Sequence, residues 1–200
     1  LRDVTELDYT TGAKAAKLKV WSVTSSDPDK LETLQRLLLS LPDGKSIVFA
    51  NYRDAVERIN TFLVSHHIAA GLYHGALDQQ SREMAVDMFH NGTYPVLVTT
   101  DLGARGLDIS EVKNIVHYHM PVSAESYTHR NGRTARQQAS GDAFVIVGPN
   151  DSMPDYVVCD DEWHVPAKLS RNCIEARKAT IYFMAGKKEK LSKGDIVGFI

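Results

Sequence analysis

The sequence predicts an α/β domain: a doubly wound parallel sheet with helices on both faces. Short runs rich in β-branched and aromatic residues alternate with segments whose apolar residues recur at helical spacing. Several runs are continuously apolar, as strands covered on both faces must be. The segments between them are long enough to carry the chain back over the sheet as parallel crossovers.

Residues 19–24 (KVWSVT) form the first expected strand. Asp27 then precedes Pro28 as an N-cap precedes a first-turn proline, and Leu31, Leu34, Leu37 and Leu38 follow at helical spacing. Residues 46–50 (SIVFA) read as a buried strand, and residues 54–65 as a helix through Val56, Ile59 and Leu63. Residues 69–74 (AAGLYH) are a short strand, followed by a helix over 78–90 through Met84, Val86 and Phe89. Strands at 94–99 (YPVLVT), 114–119 (NIVHYH) and 142–147 (DAFVIV) close the series before Gly148 and Pro149.

Beyond Asn150 the composition changes. Asp151, Asp155, Asp160, Asp161 and Glu162 make an acidic stretch, and from Lys168 the sign flips to a basic one. The organisation expected is a main domain over 1–150, an acidic-to-basic linker over 151–177 and an incomplete second unit over 178–200. Composition alone favours a solvated surface for the charge runs. TIYFM, at 180–184, reads as a strand opening a new unit, and GDIVGFI as the start of a helix.

With 200 residues, 43% hydrophobic and 24% charged, the chain reads as globular and soluble. A formal net charge of −2 excludes a global basic field, so a nucleic-acid partner must be met by local patches. Cys159 and Cys173 form no ligand pattern, which points to reduced thiols, no metal site and the cytoplasm. No apolar run approaches membrane-spanning length. The chain opens on Leu1, as an internal stretch of a longer protein would.

In open parallel sheets the ligand crevice lies beyond the carboxyl ends of the strands. Those positions are rich in polar chemistry here: Asn51, Tyr52 and Arg53; His74 and Gly75, with Gln79 and Arg82 on the next helix; and Thr100 to Asp108. Each has a bland alternative, such as a core imidazole for His74 or an ion pair with Asp101 for Arg105. The stretch HRNGRTAR, at 129–136, is harder to explain that way. Arg130, Arg133 and Arg136 fall at i, i+3 and i+6, one face if helical, and the adjacent sequence lacks the acids to pair with them. Clustered guanidinium groups await an anion, and a transferring phosphoryl group matches their forked donors.

These segments resemble the C-terminal RecA-like domain of a DEAD-box ATP-dependent RNA helicase. SIVFANYRDA is similar to the family's motif IV, HGALDQQSR to its HG and QxxR segment, VTTDLGARGLDI to motif V and HRNGRTAR to motif VI. The resemblance covers about residues 18–150 and implies an RNA helicase that hydrolyses ATP. Arg133 and Arg136 would be catalytic arginine fingers, joined by Gly106 and Asp108 in binding ATP. His129 and Arg130 would couple nucleotide state to domain closure. Tyr52, Arg53, Gly75, Arg82, Thr100, Gly103 and Arg105 would contact RNA, with Tyr52 standing where the family often has a Thr on an RNA phosphate. The tail TIYFMAGKKEKLSKGDIVGFI resembles the start of the small RNA-binding domain of the bacterial DbpA group.

A phosphate-binding loop is not expected from Gly44-Lys45-Ser46. The pattern needs Gly where Leu39 stands, and the triplet precedes a strand instead of following one. No DEAD tetrapeptide occurs in these 200 residues, so Mg²⁺ and the phosphate cradle are expected on an N-terminal RecA-like domain, and this stretch alone is expected to be inactive. A DNA helicase of the same superfamily, and a non-catalytic RNA-binding or scaffold protein, are the alternatives.

Overall fold

The computed structural model describes residues 18–104, 112–134, 140–183, 188, 190 and 192–198. Its strands are β1 (Leu18–Thr24), β2 (Lys45–Phe49), β3 (Ala70–Tyr73), β4 (Val96–Thr99), β5 (Val112–His117), β6 (Gly141–Val147) and β7 (Asp161–Glu162). The helices are α1 (Leu31–Ser40), α2 (Arg53–Ser65), α3 (Gln79–Asn91), α4 (Asp101–Ala104), α5 (Ala124–Asn131) and α6 (Lys193–Val197).

The strands form one seven-stranded sheet in the order β3-β4-β2-β5-β6-β1-β7, with every pairing parallel. Alternate strand residues serve opposite faces. Val48, Val98, Val116, Phe144 and Ile146 pack under α1 and α2, with Leu34, Leu37, Leu38, Val56, Ile59 and Leu63. Ile47, Phe49, Leu97, Ile115 and Val145 pack under α3 through Ala85 and Phe89. That burial on both faces explains the continuously apolar runs.

Several local expectations need correction. Asp27 does not cap α1: its carboxylate accepts from Asp29 N–H at 2.9 Å in a turn, and α1 starts at Leu31 after Lys30 in the left-handed region (φ 55°). The N-terminus of α3 does carry its cap, with Asp78 accepting from Ser81 N–H at 2.8 Å. The core stripe of α3 runs through Ala85 and Phe89, leaving Met84 outside it. Residues 180–183 form no strand; Thr180 instead bonds Asn91 Nδ2 and Thr93 Oγ1, each at 2.7 Å. GDIVGFI does open a helix, α6, whose Ser192 and Asp195 make a capping box.

Most charged side chains of the 151–177 stretch are exposed, as a solvated run would have them, but its backbone, Trp163 and Arg171 are tied to the domain. Asp160 exchanges bonds with the Val20 backbone (2.7 and 2.8 Å), and Asp161–Glu162 extend the sheet as β7. Trp163 packs edge-on against Trp21 and Phe144 at 5.2 and 5.4 Å. Arg171 donates to the carbonyls of Leu38, Leu39 and Leu41 at the end of α1 and to Asp43, satisfying acceptors the helix cannot satisfy itself. Ile174 bridges to the chain at Ile68, just before β3. The stretch is a strap from the β1 edge to the β3 edge.

Candidate functional site

The order β3-β4-β2-β5 makes neighbours of the strand ends that carry the polar residues. Beyond them lies a hollow of about 420 Å³, lined by Asn51, Arg53, His74, Gly75, Thr100 and Asp101 together with Ala76, Leu102, Val122 and Ser126. Four segments distant in sequence therefore meet there because parallel strands all end at one edge of the sheet.

One buried cation holds these segments together. Arg130, its side chain fully buried, donates from Nε and Nη2 to the two carboxylate oxygens of Asp101, each at 2.7 Å. Nη2 also reaches Asn51 Oδ1 at 2.7 Å, and Nη1 the carbonyl of His119 at 2.8 Å. The guanidinium lies 5.2 Å from the Phe49 ring. One side chain so ties the ends of β2, β4 and β5 to α5, using a planar fork that Lys lacks.

This corrects the reading of the arginine cluster. Helix α5 stops at Asn131, so Arg130 and Arg133 do not line a common helical face. The acid that pairs Arg130 arrives from the end of β4, far away in sequence. Arg133 follows in a turn, half-buried, and shares a shallow hollow with Phe49, Ser126, the exposed His129 and the Arg130–Asp101 pair. That hollow, of about 10 Å³, is far too small to enclose a nucleotide. Arg136, Arg105, Gly106 and Asp108 lie outside the described residues.

Two glycines expected at RNA behave differently. A Cβ on Gly103 would lie 2.9 Å from Thr99 Oγ1 and 3.0 Å from the Tyr73 carbonyl. Gly103 is buried, lets α4 approach β3, and does not line the hollow. A Cβ on Gly75 would meet nothing within 4 Å, and Gly75 lacks a positive φ. Among the described residues nothing requires glycine there. Thr100 caps α4, its Oγ1 accepting from Gly103 N–H at 3.1 Å.

His74 is buried, with Nε2 3.3 Å from Glu57 Oε1 and Nδ1 without a hydrogen-bond partner. Glu57 also approaches Arg53 Nε at 3.7 Å, so the carboxylate links two residues of the hollow. Arg82 sits half-buried on α3, outside the lining, with its Nε buried and unpartnered. Tyr52 lines a separate neighbouring hollow.

Behind the crevice, burial first and then the Arg130 charge drive the pKa of His117 down to about 3. His117 Nε2 pairs with Asn131 Oδ1 at 2.9 Å and its Nδ1 has no partner. His119, lowered to about 4 by burial and the Lys30 charge, accepts the Asn51 N–H on Nδ1 at 3.2 Å. Its proton therefore resides on Nε2. Sequence reasoning assigned neither imidazole, nor Asn51 or Asp101, to this network. A polar residue ending each buried strand was the available signal.

The fold and the crevice define a RecA-like α/β domain of the helicase type. The chain belongs to the helicase conserved C-terminal domain family, whose model matches residues 29–138. It is the C-terminal helicase domain of the DEAD-box RNA helicase family. It is 32% identical over 199 residues to the ATP-dependent RNA helicase DbpA of Escherichia coli, covering 96% of this chain and 43% of that protein. It is 36% identical over 137 residues to the ATP-dependent RNA helicase MAK5 of Phaeosphaeria nodorum, covering 68% and 17%. Among solved structures, S. cerevisiae Dbp5 bound to RNA and ADP BeF3 superposes with a TM-score of 0.61 at 29% identity, covering 72% of this chain and 39% of that one. The chain thus spans less than half the length of these relatives.

Proposed function

We propose that this domain is the C-terminal half of an ATP-dependent, RNA-unwinding motor. Its crevice grips the backbone of single-stranded RNA, while Arg133 and Arg136 reach an ATP held by an N-terminal RecA-like domain. The observation that carries the RNA half is Gly75. A glycine that neither sterics nor dihedral angle demands, at the rim of a hollow containing Arg53, suits close approach of a sugar–phosphate chain from outside. Contacts from Arg53, Gly75 and Thr100 to phosphate and ribose, made without reading base edges, would make binding independent of sequence.

Arg133 sits beside a hollow too small for a nucleotide, which supports a role toward an anion carried by another domain. Mg²⁺ would be held by that N-terminal domain together with the ATP phosphates. Arg130 couples nucleotide to RNA indirectly, by holding the loops that face each. The protein is read as bacterial and cytoplasmic, and the match to DbpA, which runs over 96% of the chain, favours residues from about 178 opening a small RNA-binding domain. Ile181 and Tyr182, exposed here, would be apolar residues of that unit.

In the full-length protein, Arg133→Ala should slow RNA-stimulated ATP hydrolysis by about 10³-fold or more, with Arg133→Lys rescuing poorly. RNA affinity without nucleotide should hardly change. Wild-type turnover in the Ala variant would remove the arginine-finger role.

A further inference from the structure

Between α2 and the end of β5 lies a second hollow of about 380 Å³, next to the crevice. Tyr52 forms the ridge between the two: its chain neighbours Asn51 and Arg53 line the crevice, and Tyr52 itself lines the second hollow. We infer that Tyr52 is a stacking platform for a nucleobase of the RNA strand whose backbone lies in the crevice, an inference resting on the RNA grip proposed above.

The fold gains little from an aromatic residue here. Tyr52 is the N-cap of α2, a position that favours a short polar side chain, and it makes no side-chain capping bond. Its side chain is 69% exposed. A residue that breaks a local rule without a packing return is where function is expected.

The surroundings suit a flat, neutral ring. The Tyr52 ring meets the His119 ring edge-on, with centroids 6.0 Å apart at 65°. His119 is itself fixed by the bond from Asn51 N–H and stays uncharged at neutral pH. Ala55, Ile59 and Tyr118 complete an apolar lining, and the Tyr118 hydroxyl is already engaged by the Asp29 carbonyl. Arg58 lines one side, held there by both carboxylate oxygens of Asp29, so its charge is compensated while its planar face remains suited to stacking. Asp54, 87% exposed, adds a carboxylate that repels phosphate. Arg53 is held more loosely, with Asp54 and Glu57 at 3.4 and 3.7 Å from its Nε, so it is the guanidinium freer to turn to a phosphate in the crevice, leaving the base to the hollow with Tyr52.

Single-stranded RNA carrying one 2-aminopurine, titrated with the 200-residue chain, tests this. The fluorophore should be quenched by the wild type and by Tyr52→Phe, which keeps the ring, and should stay bright with Tyr52→Thr and Tyr52→Ala. Both ring-less variants should bind roughly 5- to 150-fold more weakly, the range for loss of one base–aromatic stack. An RNA abasic at that position should bind the wild type and Tyr52→Thr alike. Because Tyr52 is exposed, the variants should unfold at the wild-type temperature. Salt-sensitive RNA binding that is unaffected by Tyr52→Thr, with bright 2-aminopurine throughout, would overturn the platform and leave the RNA grip standing. No binding of either RNA at low salt would overturn both.

Discussion

The floor and the rim of the crevice use the same residue types for opposite purposes. On the floor, Arg130 is enclosed with its bonds directed to Asp101, Asn51 and His119, and Gly103 is pressed against Thr99 and Tyr73. On the rim, Arg53 is mostly exposed with two loose carboxylate neighbours at 3.4 and 3.7 Å, and Gly75 has open space above it. An arginine or glycine at a strand end therefore does not by itself mark a ligand contact. What separates the two sets is whether the fold already consumes the group.

The largest effect should come from breaking the floor. Arg130→Ala leaves Asp101 partly buried without its partner and removes the tie between three strand ends. Loss of such a pair costs about 3–5 kcal/mol, read as a fall in the urea midpoint. A variant with wild-type stability would mean that the floor is not held in this way.

Acid should loosen the floor next. His117 is kept neutral in the fold, so the unfolded chain binds more protons below its ordinary pKa of 6.5. The stabilisation is complete above about pH 6.5 and declines progressively toward pH 3. By pH 5 this one group should cost about 2 kcal/mol, at about 1.4 kcal/mol per pH unit. His119 acts with the same sign, and its share falls behind that of His117 only below about pH 4, where its own pKa is reached. Stability measured from pH 7 to 5 should fall accordingly. A flat profile would contradict the buried neutral imidazole.

The paired glycines sharpen the contrast most directly. Gly103→Ala forces a methyl against the Tyr73 carbonyl and should cost about 1–3 kcal/mol. Gly75→Ala should leave stability unchanged or raise it by up to about 1 kcal/mol, since the new methyl meets nothing and the unfolded chain loses freedom. It should nonetheless weaken binding of single-stranded RNA. Equal stability changes at the two sites would erase the distinction between floor and rim.

Local pattern made much of the architecture legible. Helical spacing found Leu31, Leu34, Leu37 and Leu38, all buried, and continuous apolar runs found β1 through β6. The strap escaped because its ordering depends on distant partners: Asp160 on Val20, Trp163 on Trp21 and Phe144, Arg171 on the end of α1. The supposed TIYFM strand failed for the converse reason. β-propensity without a neighbouring strand leaves the backbone unpaired, and Thr180 bonds side chains instead.

By itself the sequence determined the alternation of strands and helices, and with it that polar residues gather beyond the strand ends, because period and chain direction are local properties. It also carried the motifs that mark the helicase family. Only the tertiary structure decided which of those residues are spent on the fold. The acid that neutralises Arg130 stands 29 positions away, at Asp101, and the atoms that crowd Gly103 include the carbonyl of Tyr73. Burial and pairing depend on what the sheet brings alongside, and no window of neighbouring residues contains that.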